Sequence, residues 1–291
     1  MPAVYPKLYT CDLARGRPSS IVSDPDAIDL TAQNLADGDP NSLWNPGATA
    51  AVVTITLAGA RFIRGYAISN HNLLGAEISV EAFYAGIFHG LDLYRVVETP
   101  DDFLHDFTEE WPSACTQMRF SFRYCTANIL VGCLSIIADY GYDESGVLVH
   151  GTGYGIIELG GDDVGRIRRD LPVSFDSGIR ALQSGNGFTQ FQQIGSPFEI
   201  FTLPLSRLRA SRGGEMWRLA NVYSPRRRGE FTNKGFGKGV WFTDDTHSVT
   251  ARSAKYCVGE PSAPFNYNID TPGARSSSDL VLRTPAREAV S

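Results

Sequence analysis

Two carboxylates and an amide lie close together in the stretch Asp37-Gly38-Asp39-Pro40-Asn41. Carboxylate and carbonyl oxygens are the ligands that Ca²⁺ takes in proteins, and the ion needs about six to eight of them. Only two side-chain carboxylates are local here, and Asp and Asn side chains also accept hydrogen bonds from the backbone of their own turn. Two interpretations stay open: a calcium site formed by Asp37, Asp39 and Asn41, or a tight turn that needs no metal.

A wider set of residues has the chemistry to hold a sugar, because polar side chains bind hydroxyl groups and aromatic rings stack on the apolar faces of sugar rings. The candidate ligand-binding residues are Asp37, Asp39, Trp44, His71, Asn72, Phe88 and Trp111. Each has a structural alternative. A lone histidine between two asparagines is more often a hydrogen-bonded structural residue, and such aromatic side chains also serve as core or as interface anchors.

The familiar catalytic motifs are missing from the sequence: it has no GxSxG, no HExxH and no P-loop. The stretch 151–155 has two of the glycines of a dinucleotide loop but lacks the third, which favours a hinge. Asp101-Asp102 and Glu109-Glu110 offer carboxylates to a glycosidase, although acidic surface loops are much commoner. We therefore expect no enzyme activity. Cleavage of glycans is the weakest of the three functions that the sequence suggests, and the other two follow from the resemblance described below.

The five cysteines form no CxxC pair, which argues against a zinc site and favours free, buried thiols in a reducing compartment. The net charge of −6 argues against a general nucleic-acid binder. The basic stretch 205–228, with Arg226-Arg227-Arg228, suits an acidic patch on a neighbouring subunit better than nucleic acid. The sequence shows neither a signal peptide nor an apolar run of about 20 residues, so we expect a cytoplasmic product that does not insert into membranes.

The elements that would position these residues are short strands. Residues 52–57, 62–69 and 76–83 alternate between apolar and polar side chains, as strands with one buried face do. Residues 118–124 alternate as well, while residues 129–138 are apolar almost throughout, as in a strand buried on both faces. Residues 86–92 are predicted to form a loop, 93–97 a strand and 100–111 a long acidic loop. This pattern predicts a β-sandwich.

The stretch from Asn34-Leu35-Ala36-Asp37-Gly38 through Trp44, followed by the strand pair 53–57 and 63–68, resembles discoidin domains. These are jelly-roll sandwiches of the coagulation factor 5/8 type C, or galactose-binding-like, kind. The resemblance covers about residues 15–140. The ending Asn70-His71-Asn72-Leu73 resembles the version of this domain in tailed-phage virion proteins, and the later Trp241-Phe242-Thr243-Asp244 is loosely similar to phage tail proteins.

We therefore predict a mainly β chain with four parts: an N-terminal arm (1–14), a discoidin-like jelly-roll sandwich (15–140), a second mostly β domain (150–258) and an extended C-terminal tail (259–291). One helix is predicted in the second domain, at 214–223, because apolar residues recur there at helical spacing.

The resemblance implies a non-enzymatic structural protein of a tailed-phage virion, in the tail tip or baseplate (distal-tail or hub region). Its sandwich domains and extended ends would contact other copies and neighbouring tail proteins as an oligomeric assembly. The chain would be made in the host cytoplasm and end in the virion. The alternative is a carbohydrate-binding module that holds host-surface or other glycans with the loops 37–44, 70–74 and 88–91.

Overall fold

The computed structural model describes residues 7–14, 20–25, 32–107, 113–142, 148–150, 155–158, 173–176, 179–183, 189–193, 198–203, 240–243, 250–251, 254–259, 267–271, 274–277 and 280–285. The chain forms two compact units. Unit 1 comprises Met1–Glu158, Val240–Lys255 and Val290–Ser291, and unit 2 comprises Leu159–Gly239 and Tyr256–Ala289. The chain is mainly β, and the described residues contain one short helix.

The elements begin with β1 (Lys7–Tyr9), β2 (Ser20–Asp24), α1 (Asn34–Asp37), β3 (Ala51–Arg61), β4 (Gly65–His71), β5 (Glu77–Tyr84), β6 (Ile87–Val96), β7 (Phe103–Asp106), β8 (Cys115–Arg123), β9 (Val131–Ile137), β10 (Tyr140–Tyr142), β11 (Leu148–His150) and β12 (Ile156–Glu158). They continue with β13 (Val173–Asp176), β14 (Ile179–Gln183), β15 (Thr189–Gln193), β16 (Phe198–Leu203), β17 (Val240–Thr243), β18 (Thr250–Ala251), β19 (Lys255–Gly259), β20 (Tyr267–Thr271), β21 (Ala274–Ser277) and β22 (Leu280–Arg283). None of these residues belongs to a helix long and apolar enough to span a bilayer.

Unit 1 is built on a β-sandwich of two antiparallel sheets. The first has the strand order β2-β3-β8-β5-β6 and the second β18-β7-β4-β9. Alternation puts the apolar residues of β3, β5 and β8 on the inner face of the first sheet, where they are buried: Val53, Ile55, Leu57, Ile78, Val80, Ala82, Met118, Phe120 and Phe122. These strands therefore follow the period-2 pattern of a sheet with one solvated face.

The second sheet is buried on both faces, since every residue of β4 and β9 is buried. One face packs into the sandwich core through side chains such as Leu134 and Ile136. Ser135 lies on the opposite face, where its Oγ accepts a hydrogen bond of 2.9 Å from the indole N–H of Trp241 on β17. A strand from far along the sequence thus covers the outer face of this sheet, which explains why residues 129–138 are apolar almost throughout.

A third sheet of unit 1 contains β1, which pairs with β12 on one side and β17 on the other. Residues 7–9 were predicted to belong to an extended N-terminal arm that contacts other copies, but Leu8 and Tyr9 are buried in this sheet. Asp12 forms a further bridge to Ile137. Their backbone groups and apolar side chains find partners within the chain itself, so residues 7–12 do not form an arm.

Unit 2 contains a sheet in the order β19-β22-β16-β13 and two hairpins, β14–β15 and β20–β21. The predicted extended tail carries three of these strands, and Leu280 and Leu282 of β22 are buried. Long-range pairing with β16 and β19 orders β22, although its local composition predicts no fold of its own. The predicted helix at 214–223 lies outside the described residues.

The compact units differ from the predicted boundaries in several respects: residues 1–14 and 150–158 belong to unit 1, and most of the predicted tail belongs to unit 2. Val240–Lys255, predicted as the end of the second domain, belongs to unit 1 because β17 and β18 pair with β1 and β7. The five cysteines are free, and burial raises the pKa of the Cys115 thiol to about 11, so that it stays protonated at neutral pH.

Candidate functional site

The strand connections place two of the three predicted sugar-binding loops at the same end of the sandwich. Residues 72–76 connect β4 to β5, and the stretch 38–50 leads into β3 at that end. Asn70 joins the two loops, because its side-chain amide donates a 2.6 Å hydrogen bond to the carbonyl of Pro40. Phe88 instead follows the hairpin turn at the far end of β5, where Tyr84 pairs with Ile87. The three predicted loops therefore do not converge on one site.

The acidic turn is held by its own side chains. Helix α1 ends at Gly38, which adopts a left-handed conformation with φ of 87°. The Asp37 carboxylate accepts a hydrogen bond of 2.7 Å from the backbone N–H of Asp39, and the Asp39 carboxylate accepts one of 3.0 Å from that of Asn41. Asp37 and Asp39 thus form the side-chain-to-backbone hydrogen bonds that are typical of a tight turn without a metal ion. Among the residues that the structure describes, no three His, Cys, Asp or Glu side chains form a metal-binding group.

Trp44 is a core residue and not a surface platform for a ligand. Its side chain is fully buried, and its ring lies 5.7 Å from that of Phe122, centroid to centroid. Its backbone exchanges two hydrogen bonds with Val131, of 2.8 and 3.1 Å. Trp44 therefore ties the turn before β3 to the start of β9, and a ligand cannot reach its ring.

His71 and Asn72 also bind protein groups. The backbone N–H of Leu73 donates to Nδ1 of His71 at 3.2 Å, so Nε2 carries the proton that is shared with the Asp101 carbonyl at 2.9 Å. The Asn72 amide donates to the Asn128 carbonyl and accepts from the Leu130 N–H, at 2.8 and 2.9 Å. Both side chains therefore connect the loops at this end of the sandwich by hydrogen bonds to their backbone groups.

Phe88 belongs to a cluster on the solvent-facing side of the first sheet. We call Glu81, Phe83, Phe88 and Arg119 the outer-face cluster. The Arg119 guanidinium donates two hydrogen bonds of 2.7 Å to one Glu81 oxygen, and its carbon lies 3.9 Å from the centre of the Phe88 ring. Phe83 packs edge-on against Phe88, with 5.1 Å between ring centres. All four side chains are partly exposed.

Sheet register creates this cluster. Glu81 pairs with Arg119 across β5 and β8, and Phe83 pairs with Phe88 across β5 and β6. Alternation along 118–124 already indicates that Arg119 faces solvent, but the residue opposite it depends on pairing between distant strands. For this reason, Phe88 is the only one of these four residues that the sequence predicts to bind a ligand. Trp111, the remaining candidate, lies outside the described residues.

A second polar group lies inside unit 1, where β6 passes over the second sheet. Asp92 accepts a 2.8 Å hydrogen bond from the hydroxyl of Tyr66 and a charge-assisted one from Arg95. Arg95 also contacts Nε2 of His105 at 3.2 Å. Burial, followed by the negative charge of Asp92, raises the pKa of Tyr66, whereas burial and then Arg95 lower the pKa of His105. These interactions attach β6 to β4 and β7.

Comparison with known proteins gives matches among solved structures only. No family model and no curated protein matches the chain. A family 32 carbohydrate-binding module from C. perfringens NanJ, in complex with galactose, aligns with a TM-score of 0.39 and 13% identity over 45% of this chain and 98% of that one. A module from Clostridium perfringens named CpGH89CBM32-5, in complex with GalNAc-β-1,3-galactose, aligns with a TM-score of 0.37 and 13% identity over 44% and 100%.

A pectin-binding carbohydrate-binding module aligns with a TM-score of 0.36 and 14% identity, over 41% of this chain and 90% of that one. The predicted fold class, a mainly β chain with a β-sandwich in its first half, is confirmed by the sheets of the structure itself. These neighbours do not test the relation to tailed-phage proteins, which stays a prediction.

Proposed function

We propose that the sandwich of unit 1 is a non-catalytic carbohydrate-binding module that holds its ligand on the outer-face cluster. The observation that carries this proposal is the placement of the Glu81–Arg119 ion pair directly beside the partly exposed rings of Phe83 and Phe88. A sugar offers both hydroxyl groups and an apolar C–H face, and this surface has a partner for each.

The chemistry of the pair suits hydroxyl groups. A guanidinium group has five N–H donors. Two of the nitrogens of Arg119, Nε and Nη2, contact the same oxygen of Glu81. Arg119 thus keeps donor capacity, and the carboxylate keeps acceptor capacity on its second oxygen. Because each group fixes the other in position, a ligand does not have to order two long side chains when it binds. The shallow surface favours weak binding, with a Kd of about 1 mM, or about −4 kcal/mol.

Titration of the full chain with neutral mono- and disaccharides tests this function, with ¹⁵N-resolved NMR shifts as the readout. We expect saturable shifts on β5, β6 and β8 for at least one sugar, and Phe88→Ala should abolish them. Tyr124→Ala is the matched control, because this aromatic residue is 75% exposed at the opposite end of the sandwich. Absence of saturable shifts up to tens of millimolar sugar, or full binding by Phe88→Ala, would refute the proposal.

A structural subunit of a tailed-phage virion is the second candidate function. The observation in its favour is a set of exposed aliphatic side chains on β6, Ile87, Leu93 and Val96, whose chemistry suits protein contacts better than sugars. In that role the chain would be made in the host cytoplasm and incorporated into the particle. Mass spectrometry of purified particles from the source strain checks it, and particles that lack the chain would exclude this role.

A further inference from the structure

A row of solvent-facing side chains crosses all five strands of the first sheet. We call it the cross-strand row, and in spatial order it consists of Ser20 on β2, Thr56 on β3, Gln117 on β8, Phe83 on β5 and Phe88 on β6. Each of these residues pairs directly with the next in the register of the sheet. Ser20 is exposed and the other four are partly exposed. Because β2 and β6 are the edge strands, the row runs from one edge of the sheet to the other.

A second row runs beside the first, two residues away on each strand. In the same order it contains Val22, Thr54, Arg119, Glu81 and Gly90, all of them at least partly exposed. Its charges are those of Arg119 and Glu81, the ion pair of the outer-face cluster. These opposite charges cancel, and the residues of the cross-strand row carry none. The two rows therefore form a surface without net charge, which suits a neutral ligand.

The spacing of the cross-strand row fits a chain of sugars. Adjacent strands lie about 4.8 Å apart, so the row offers a polar or aromatic group at intervals of about 4.8 Å and spans about 19 Å. An extended β-1,4-linked polysaccharide advances by nearly the same distance with each pyranose unit. Successive units can thus place hydroxyl groups against Ser20, Thr56 and Gln117, and C–H groups against the rings of Phe83 and Phe88. Sheets twist from strand to strand, so this surface matches one flexible chain better than the flat face of a crystalline polymer.

We propose that the cross-strand row binds an interior segment of a neutral, extended β-1,4-linked polysaccharide, about four sugar units long. This inference rests on the sugar-binding function proposed above and names the ligand class of the same site, since Phe83 and Phe88 belong to both the row and the outer-face cluster. A row that reaches both edges of its sheet lets the ligand chain continue past either edge, whereas a ligand that is mostly enclosed needs a concave pocket. Each polar contact adds a small free energy, so affinity should grow with chain length until the row is filled.

Titration of the full chain with sugars of increasing length tests this inference, with ¹⁵N-resolved NMR shifts as the readout. The probes are cellohexaose, mannohexaose and β-1,4-galactohexaose, each compared with its own disaccharide. Maltohexaose is the control ligand, because it contains the same sugar as cellohexaose but its α-1,4 linkages curve the chain. We expect at least one extended hexasaccharide to bind about tenfold tighter than its disaccharide, since a few further hydrogen bonds of ordinary strength have this effect. Maltohexaose should gain less than about threefold over maltose.

Two variants act at the part of the row furthest from the aromatic rings. Thr56→Val and Ser20→Ala each remove one hydroxyl group, and neither residue belongs to the outer-face cluster. Each variant should weaken binding of the hexasaccharide about fivefold and leave binding of its disaccharide unchanged. Thr126→Val is the matched control, because Thr126 is exposed in the loop between β8 and β9, away from the row. Circular dichroism identifies a variant that does not fold, in which case the other variant decides.

Failure of this inference can be told apart from failure of the proposed function. If no sugar of any length binds, the proposed function fails and the inference fails with it. If sugars bind and Phe88→Ala abolishes binding, the outer-face cluster is a sugar site. In that case, three results would each overturn the cross-strand row as a polysaccharide site: equal affinity for hexasaccharides and disaccharides, an equal gain for maltohexaose, or hexasaccharide binding unchanged in the folded Thr56→Val and Ser20→Ala proteins.

Discussion

Replacing Trp44 by phenylalanine separates a packing role for this side chain from a ligand-binding role. The indole ring is completely buried, and it packs against Phe122 at the point where the turn before β3 meets β9. Its Nε1–H is also buried, and it has no hydrogen-bond acceptor among the described residues. Phenylalanine keeps an aromatic ring at this point and removes the unpaired N–H.

The two effects of the substitution have opposite signs. A buried donor without an acceptor costs about 1–3 kcal/mol, and phenylalanine removes this cost. Loss of the larger ring removes roughly 50 Å² of buried apolar surface, which at about 25 cal/mol/Å² is worth about 1.3 kcal/mol, in addition to a small cavity term. The net change in the free energy of unfolding should therefore lie within about 1.5 kcal/mol of zero. Trp44→Ala, which keeps neither ring nor packing, should cost about 3–5 kcal/mol.

Urea unfolding followed by far-ultraviolet circular dichroism measures both variants against the wild type. If Trp44→Phe costs more than about 2.5 kcal/mol, the N–H has an acceptor and our account of the site is wrong. Sugar titration of the folded Trp44→Phe protein gives an independent readout. Because no ligand reaches the ring, its affinity should equal that of the wild type, and a tenfold loss would restore Trp44 as a ligand-binding residue.

Three further outcomes are expected. Gly132→Ala should lower the unfolding temperature strongly, because a Cβ there would lie 2.0 Å from the Pro40 carbonyl oxygen, whereas Gly47→Ala, at positive φ but in open space, should cost only about 1 kcal/mol. The pKa of His105 is lowered in the folded state, so protonation of this residue favours the unfolded chain. The free energy of unfolding of the wild type should therefore fall as the pH drops below about 6.5, by at most about 1.4 kcal/mol per pH unit. His105→Gln should flatten this dependence, as measured by urea titrations at about pH 5 and about pH 7.5. Arg119→Lys keeps the charge but loses the two-point contact with Glu81, and it should reduce sugar affinity about tenfold by calorimetry.

Each of these outcomes has a result that would contradict it. Equal unfolding temperatures for the two glycine variants would mean that the β9 backbone does not approach Pro40 as closely as described. A wild type more stable at pH 5 than at pH 7.5, with the difference lost in His105→Gln, would require a raised pKa for that histidine. Unchanged sugar affinity in Arg119→Lys would show that the guanidinium does not contact the ligand.

The architecture of the sandwich could be predicted because its central strands alternate clearly. Residues 52–57 lie in β3 and residues 118–123 lie in β8, with alternate side chains buried, while Tyr124 lies just beyond the end of β8. Strand β6 was predicted as a loop followed by a short strand, because Gly90 and the bulge at Leu93-Tyr94 interrupt the alternation. The acidic stretch after residue 100 was predicted as a loop, yet it contains β7, whose His105 lies against Tyr66 and Arg95. Long-range contacts of this kind leave no local pattern in a sequence.

The candidate site shows the same limit. Turn chemistry at Asp37 and Asp39 could be predicted, since Asp and Asn side chains form such turns from neighbouring residues alone. The partners of His71, Asn72 and Trp44 lie on other loops and on β9, so their structural roles depend on the fold. Glu81 and Arg119 are 38 residues apart and form a pair only through the register of β5 and β8.

The position of β17 has a consequence for synthesis of the chain on the ribosome. Trp241 covers the outer face of the second sheet, but all of Leu159–Gly239 must be translated before this residue leaves the exit tunnel. Until then a nascent chain that has already paired β4 with β9 exposes an apolar surface that the finished protein buries. A fragment cut after Glu158 would keep that surface exposed permanently, and we expect such a fragment to bind chaperones or precipitate, whereas the intact chain completes its own sandwich.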